Sequence, residues 1–551
     1  MILQIAYCAI LLSLASAIVV PLFNAKNVVF WLLGLSGFAA MFAGIAELLN
    51  DNIVLTHSLK LGLPWQAWHI RFDNLSAFFF LIIGIAVFAV SFYAPSYTQY
   101  EQQNTQNFGV LSLFTGLFIA GMMLVLLADD AFMFMIAWEL MSVASYFLVA
   151  YQHENSANRR AAFLYLLMAE VGALLIILAF GVVASFADGF TFEALRASNI
   201  PTNWMSIAFV LALLGFGMKA GLVPIHVWLP EAHPVAPSHI SALMSGVMLK
   251  VALYGFIRFC FDLLPQVHWQ WGVVLLIIGT LSALSGILYA MMQQNLKRLL
   301  AYSSVENIGI IFMVLGLSII FLANNHKEIA ALGLIAALFH AFNHALFKNL
   351  LFLGAGIIHH QTHELNIDAL GGLIKRMPQT SILFLVGCMS ISSLPLFNGF
   401  VSEWLAFQTA LQVDVLNSSV LRSLIPMSAA GLALTAALAA ACFVKVFGLI
   451  FLGVPRSRHA EKAKETEHFS MLIALIFLAT LCVFIGIFPN TIIDLLSHVT
   501  QQIIGAKLPE TAVSTPLWIA PMSMQQASYS APLVLSSFLI TSFVCFLLLR
   551  S

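Results

Sequence analysis

Charge is what this sequence lacks: Asp, Glu, Lys and Arg make up 9% of 551 residues, against roughly 25% in soluble domains. With 61% hydrophobic residues and a mean hydropathy of +0.97, a water-soluble fold is excluded. Cysteine is scarce too. Cys8, Cys260, Cys388, Cys442, Cys482 and Cys545 form no Cys-x-x-Cys pair and lie in or beside apolar stretches, so they read as small packing residues rather than metal or redox ligands. No phosphate-cradling glycine loop follows a strand, and Gly215-Phe216-Gly217 lies inside an apolar helix. A formal net charge of −1 gives no ground for nucleic-acid binding. The motifs call for no cofactor and no metal.

What is present is a succession of apolar stretches. Fifteen are long enough to cross the hydrocarbon, at approximately 2–22, 28–49, 75–95, 108–128, 130–150, 161–187, 205–230, 239–260, 272–291, 299–321, 328–358, 381–411, 424–453, 470–488 and 531–549, given that a helix needs about 20 residues for this. The first contains Ala15-Ser16-Ala17 but lacks a basic leader and reads as a retained helix rather than a cleaved signal. The expected fold is therefore an all-α polytopic membrane protein with the bilayer as its solvent. Loop charge suggests its orientation. One face collects Lys26, Arg159, Arg160, Lys297, Arg298, Lys375, Arg376, Arg456, Arg458, Lys462, Lys464 and Arg550, against Lys60, Arg71, Arg196, Arg258, Lys327, Arg422 and Lys507 opposite. Cytoplasmic loops are the basic ones, so the N-terminus is expected outside and the C-terminus inside.

The remaining basic residues, Lys219, Lys250, Lys348 and Lys445, fall inside apolar spans, where a charge costs at least about 2.5 kcal/mol. Two spans also look interrupted, at Gly217 to Pro224 and at Ser392 to Pro395 with Asn398-Gly399. Proline and glycine at mid-depth are tolerated only where protein or water re-satisfies the backbone. Each interruption is followed one span later by a lysine, Lys250 or Lys445. That echo predicts two five-helix units related as an inverted repeat. The chain then divides into helices 1–3 (1–107), a first repeat (108–260), a second repeat (272–453) and a C-terminal part (454–551).

Glu139 lies about nine residues into its span, near the midplane at roughly 1.5 Å per residue, and Lys219 and Lys250 sit at comparable depth. A carboxylate and amines at one depth can relay protons, because losing its partner lets Glu139 take one up; a structural ion pair is the alternative. His340, His344 and Lys348 recur at i, i+4 and i+8, stacking on one helix face, and imidazole titrates near neutrality. Satisfied core histidines would be the plain explanation. Glu403 follows Pro395 by eight residues and could end the series near the outer face or sit on the surface. Glu170 and Glu306 are also intramembrane and could serve function or packing. His226, Glu231, His233 and His239 flank Pro224, Pro230, Pro234 and Pro237, a loop that could feed protons inward or be a capped, solvated turn.

From Met218-Lys219 through His226, Glu231, His233 and Pro237 to Lys250, the chain resembles the antiporter-like subunits of respiratory complex I, a family that includes Mrp-type sodium/proton antiporter subunits and the membrane arm of group 4 nickel-iron hydrogenases. The resemblance extends through Trp138-Glu139-Leu140, Leu296 to Gly309, His340 to Lys348 and Leu394 to Trp404, roughly residues 70 to 455. It implies a fourteen-to-sixteen-helix fold with inverted repeats around a hydrated charged axis. Glu139 and Lys219 would be the input pair, Lys250 and the His344–Lys348 region the central link, and Glu403 the exit. A glutamate at the exit looks like the complex I subunit with an acidic exit and like the hydrogenase subunits, rather than the relative with lysine there, and Ser303-Ser304-Val305-Glu306-Asn307-Ile308-Gly309 looks more hydrogenase-like. Two features depart from the family: the tail past residue 490 is short, with no long lateral helix, and Glu170 is off the position of the family's span-six acid. The resemblance further implies a non-catalytic, proton-translocating subunit of the inner membrane, assembled with other membrane subunits and a soluble redox partner. It leaves open a sodium/proton antiporter module or a proton-conducting subunit that energises inorganic carbon uptake.

Overall fold

The computed structural model describes residues 1–23, 26–50, 54–64, 66–101, 108–508, 518–520 and 528–550. Helices account for almost all of it, since a chain in hydrocarbon must satisfy its backbone within each segment. In order, α1 (Ile2–Phe23), α2 (Lys26–Leu48), α3 (Asn74–Glu101), α4 (Phe108–Leu127), α5 (Ala131–Val149) and α6 (Ser156–Ala184) are followed by the short α7 (Phe192–Arg196) and by α8 (Thr202–Ala220). Next come α9 (Leu229–Val235), α10 (Ser238–Leu243), α11 (Leu249–Ile257), α12 (Trp269–Met292), α13 (Leu296–Ala323) and α14 (Lys327–Thr362). The rest are α15 (Pro378–Ile391), α16 (Asn398–Leu411), α17 (Ser419–Phe451), α18 (Arg458–Lys462), α19 (Phe469–Ile487), α20 (Asn490–Ile504) and α21 (Ala531–Arg550). Among the described residues 13 helical segments are long and apolar enough to cross a membrane. The segment 378–411 is split into α15 and α16, and α21 is shorter and apolar. The chain is a polytopic membrane protein.

Polar caps and turns decide where helices stop. Asp130 caps α5 by accepting from Met133 N at 2.7 Å, and Asn295 caps α13 through Arg298 N, each satisfying an orphan amide. α8 ends at Gly221, whose φ of +89° is left-handed, a conformation natural to glycine. The expected break at 217–224 is thus a stop after Ala220 and a loop to α9. Between α15 and α16, Ser393 (φ +49°) and Leu396 (φ +76°) carry the second break. The third deviation was unexpected: α10 and α11 are joined by a π turn at Met244–Met248, and a second π turn, Arg258–Leu263, ends the span. π turns cluster at functional sites.

α13 and α14 and the α10–α11 span are enclosed by the others: their membrane windows are 94%, 100% and 100% buried, whereas those of α1, α6 and α17 are 33%, 39% and 39% buried. The enclosed helices carry Lys250, Glu306, His340, His344 and Lys348, whereas the outer ones turn mainly apolar residues outward, as a bilayer requires.

Two elements went unforeseen. Residues Leu55–Leu63 (β1) and Gln66–Phe72 (β2) form an antiparallel hairpin. It is tied to the bundle where His69 N donates to Asp130 at 2.8 Å and Asp129 N donates to His69 O at 2.8 Å. On the same face lies α20, an amphipathic helix whose Ile493, Leu496, Val499 and Ile504 are buried. Its Gln502 accepts from Asn74 N. Arg258, assigned by sequence to a loop on this face, is only 3% exposed: it is pulled inside by Asp73 and Asp262 at 2.7 and 3.0 Å.

Candidate functional site

Lys219 is the last residue but one of α8 and 3% exposed. Its Nζ donates to Ser142 Oγ of α5 at 2.9 Å and to Tyr165 OH of α6 at 2.7 Å, and lies 4.9 Å from the centre of the Tyr165 ring. Tyr165 OH also meets Ser145 Oγ at 2.6 Å. The expected ion pair with Glu139 is therefore indirect. Among the described residues no carboxylate lies within 4.0 Å of Lys219, although Glu139 and Glu170 both act on it electrostatically. Glu170, whose role sequence left open, stands beside Glu139 as its polar neighbour. Both are half-buried on the α5 and α6 side of the bundle.

Lys250 is completely buried, and its Nζ donates to the Ser245 carbonyl at 2.7 Å. The π turn has loosened that part of the helix, leaving the carbonyl able to accept from a side chain. Gly246, mid-turn, lets α14 come close: a Cβ there would stand 2.1 Å from Asn349 Nδ2. This approach brings Lys348, next to Asn349, within electrostatic range of Lys250. Lys348 Nζ donates to Leu300 O at 2.9 Å and Ser303 Oγ at 2.5 Å on α13, with the buried Glu306 one turn beyond.

One turn before Lys348 on α14, His344 is buried and neither ring nitrogen has a hydrogen-bond partner. His340, a further turn away, is held between Ser402 Oγ at 3.0 Å and Asn307 Oδ1 at 3.1 Å. Asn343 Nδ2 donates to Asn398 O at 2.7 Å and to Ser402 Oγ at 3.0 Å. These contacts dock α14 on the first turn of α16, directly after the break. Glu403 follows Ser402 and is 6% exposed, with Ser393 of the break as its hydrogen-bond partner. It is an interior carboxylate, not a surface one.

The structure thus brings Glu139, Glu170 and Lys219 together, and Lys250, His344, Lys348 and Glu306 together, and joins His340 to the turn that bears Glu403. Lys445 stands apart. It is exposed on α17, and its Nζ reaches outward to the Met291 carbonyl at the end of α12 at 2.8 Å. A long lysine can satisfy itself in this way at a helix end. His226 is half-buried in the loop between α8 and α9, 6.3 Å ring to ring from Tyr302. His233 of α9 and His239 of α10 are buried rather than solvated, and Glu231 pairs with Arg298.

Comparison with known proteins places this arrangement in a family. Residues 128–427 match the family described as NADH:quinone oxidoreductase/Mrp antiporter, TM. The chain belongs to this family. Hydrogenase-4 component B of Escherichia coli is 38% identical over 509 residues, covering 89% of this chain and 74% of that protein. Formate hydrogenlyase subunit 3 of Escherichia coli is 31% identical, over 91% of this chain and 80% of the relative. The fold matches the structure of the Mrp complex from Dietzia sp. DQ12-45-1b with a TM-score of 0.78 at 19% identity, covering 91% of this chain and 97% of that one.

Sequence reasoning missed several members of the candidate site. Ser142 and Tyr165 hold Lys219, Ser303 holds Lys348 and Ser402 holds His340, yet hydroxyls in apolar helices give no signal of their own. The spacing of Ser142 three residues after Glu139 was the only hint. Nothing in the composition of Met244–Met248 marks a π turn.

Proposed function

We propose that this chain translocates protons across the inner membrane as an antiporter-like subunit of a multi-subunit, redox-driven complex of the NADH:quinone oxidoreductase or membrane-bound hydrogenase type. The observation that carries it is the series of titratable side chains from the half-buried Glu139 and Glu170 by the buried Lys219, Lys250, Lys348 and His344 to Glu403. Its members hang on neutral hydroxyls and carbonyls rather than on opposite charges. A lysine held by neutral acceptors can lose its proton without leaving an unpaired buried carboxylate, whereas a tight buried pair resists such a change. His344, without a fixed partner, suits a water-borne proton.

In this reading the two halves, 108–260 and 272–453, are inverted repeats that each supply a broken helix. The hairpin face is the outer one, as loop charge argues, and the opposite face is cytoplasmic. Electron transfer resides in partner subunits, as the names of the hydrogenase-4 and formate hydrogenlyase relatives suggest. The test is driven proton uptake in vesicles bearing the assembled complex, comparing wild type with Glu139→Gln and Lys219→Met. Collapse of uptake with partners still assembled supports a proton path through the axis. Undiminished uptake in both would place the path elsewhere.

A second reading, a cation/proton antiporter module, is favoured by the family description itself, which spans both activities. Transport that requires sodium would select it.

A further inference from the structure

In the first half a second line of polar residues branches from the proton path at Lys250. Lys250, Tyr254, Arg258 and Asp262 follow one another at four-residue steps along one helix, so they run down one face from the buried axis to the hairpin face. Tyr254 OH donates to Leu126 O at 3.0 Å and meets Ser76 Oγ at 3.2 Å. Arg258 lies next. Its Nη2 donates to Asp73 at 2.7 Å and to Ser76 Oγ at 3.2 Å, its Nη1 donates to Asp262 at 3.0 Å, and its Nε lies 3.4 Å from Tyr254 OH. Behind it Arg71 donates to Asp73 at 2.8 Å, and Arg196 is bidentate to Asp262 at 2.9 and 2.8 Å and lies 3.6 Å from Asp129. Buried Glu47 of α2 adds a further carboxylate beside Asp73.

This arrangement is costly. Burying ions rarely stabilises a fold beyond what apolar packing would, and the network joins five separate elements: β2, α3, the π turn after α11, α7 and the α4–α5 connection. Its order is informative. Seen from Lys250, the first charge met is a guanidinium, and every carboxylate lies beyond or beside it. Arginine does not release its proton, and a fixed positive charge in a narrow polar path repels protons while letting the surrounding hydrogen bonds persist.

We propose that Arg258 is the fixed-charge barrier that closes the first half to the outer side, so that protons reaching Lys250 continue to Lys348 and Glu403 instead of escaping past Tyr254. This rests on the proton-path reading above. Asp73 and Asp262 position the guanidinium. Ser76 and the Leu126 carbonyl hold Tyr254 turned toward it. The eight residues from Lys250 to Arg258 correspond to about 12 Å. One unit charge at about 12 Å, with an effective dielectric of about 20, changes a proton's occupancy by on the order of tenfold.

The experiment measures passive proton conductance, without turnover, in vesicles bearing the whole complex at matched subunit content. Arg258→Gln is expected to raise the leak on the order of tenfold, and Arg258→Lys to leave it near wild type. Asp73→Asn removes the carboxylate charge but leaves an amide oxygen to accept from the guanidinium, which Asp262 and Ser76 still hold at 3.0 and 3.2 Å; it keeps the positive charge in place and is expected to leave the leak near wild type too. If Arg258→Gln does not assemble because Asp73 is left unpaired, the double variant Arg258→Gln/Asp73→Asn takes the guanidinium out of the path together with its partner and is expected to leak, by less than the single substitution because the opposing charge of Asp73 goes with it. A leak from Asp73→Asn as large as that from Arg258→Gln would overturn the proposal, since the network would then be a structural clamp. So would a tight membrane in both Arg258→Gln and the double variant. Failure of the proton-path reading shows separately, as undiminished driven uptake in Glu139→Gln.

Discussion

Replacing Lys219 by methionine separates stability from transport, and the structure says by how much. Methionine follows a similar course through the site without the charge. Ser142 loses its donor, while Tyr165 keeps Ser145 at 2.6 Å. One neutral hydroxyl left short of a partner costs about 1 kcal/mol. Against this, an intramembrane ammonium costs at least about 2.5 kcal/mol to hold, and the substitution removes it. The variant is expected to assemble fully and to melt at or slightly above the wild-type temperature. Driven proton uptake is expected to fall to the background of vesicles without the complex. The assay pairs uptake with the subunit content and thermal melting of the same preparation. A complex that falls apart would make Lys219 a structural partner. A stable one that still pumps would make it dispensable, and either result refutes the reasoning.

Gly399→Ala is expected to destabilise the break in the second half, because a Cβ there would lie 2.0 Å from the Ser390 carbonyl oxygen. Backbone has to move, at about 1–3 kcal/mol, read as a lowered melting temperature together with reduced uptake. Lys445→Met is expected to leave uptake unchanged, since its amine points away from the enclosed helices; collapse of uptake would return it to the path. Acid should open the hairpin face. Burial alone would raise the Asp73 carboxyl, but Arg258 and Arg71 overcome this and hold it well below the usual carboxylate range. Its contribution is therefore complete above the unfolded value of about 4 and is lost as pH falls below it. Thermal melting should be insensitive to this group from about pH 5 to 8 and fall in stronger acid, and Asp73→Asn should flatten that acid limb.

Most of the architecture was legible because the bilayer writes it into composition. Apolar runs of fixed length and the glycines and prolines at the breaks are local properties, and hydrocarbon tolerates few alternatives to a helix. The charged members of the site were legible for the same reason: Lys219, Lys250, Lys348 and Glu403 are costly where they stand. Tertiary structure alone decided which of them meet. It set Lys219 on Tyr165 and Ser142 rather than on Glu139, and put Glu170 beside Glu139. It turned Lys445 outward, because a helix of 33 residues has faces that periodicity cannot assign to lipid or interior when both are apolar. The hairpin, α20 and the inward turn of Arg258 were likewise unreadable. Each depends on a partner distant in sequence, Ala128 and Asp130 for the hairpin, Asn74 for α20, and Asp73 for Arg258, and no local pattern records a contact between residues so far apart.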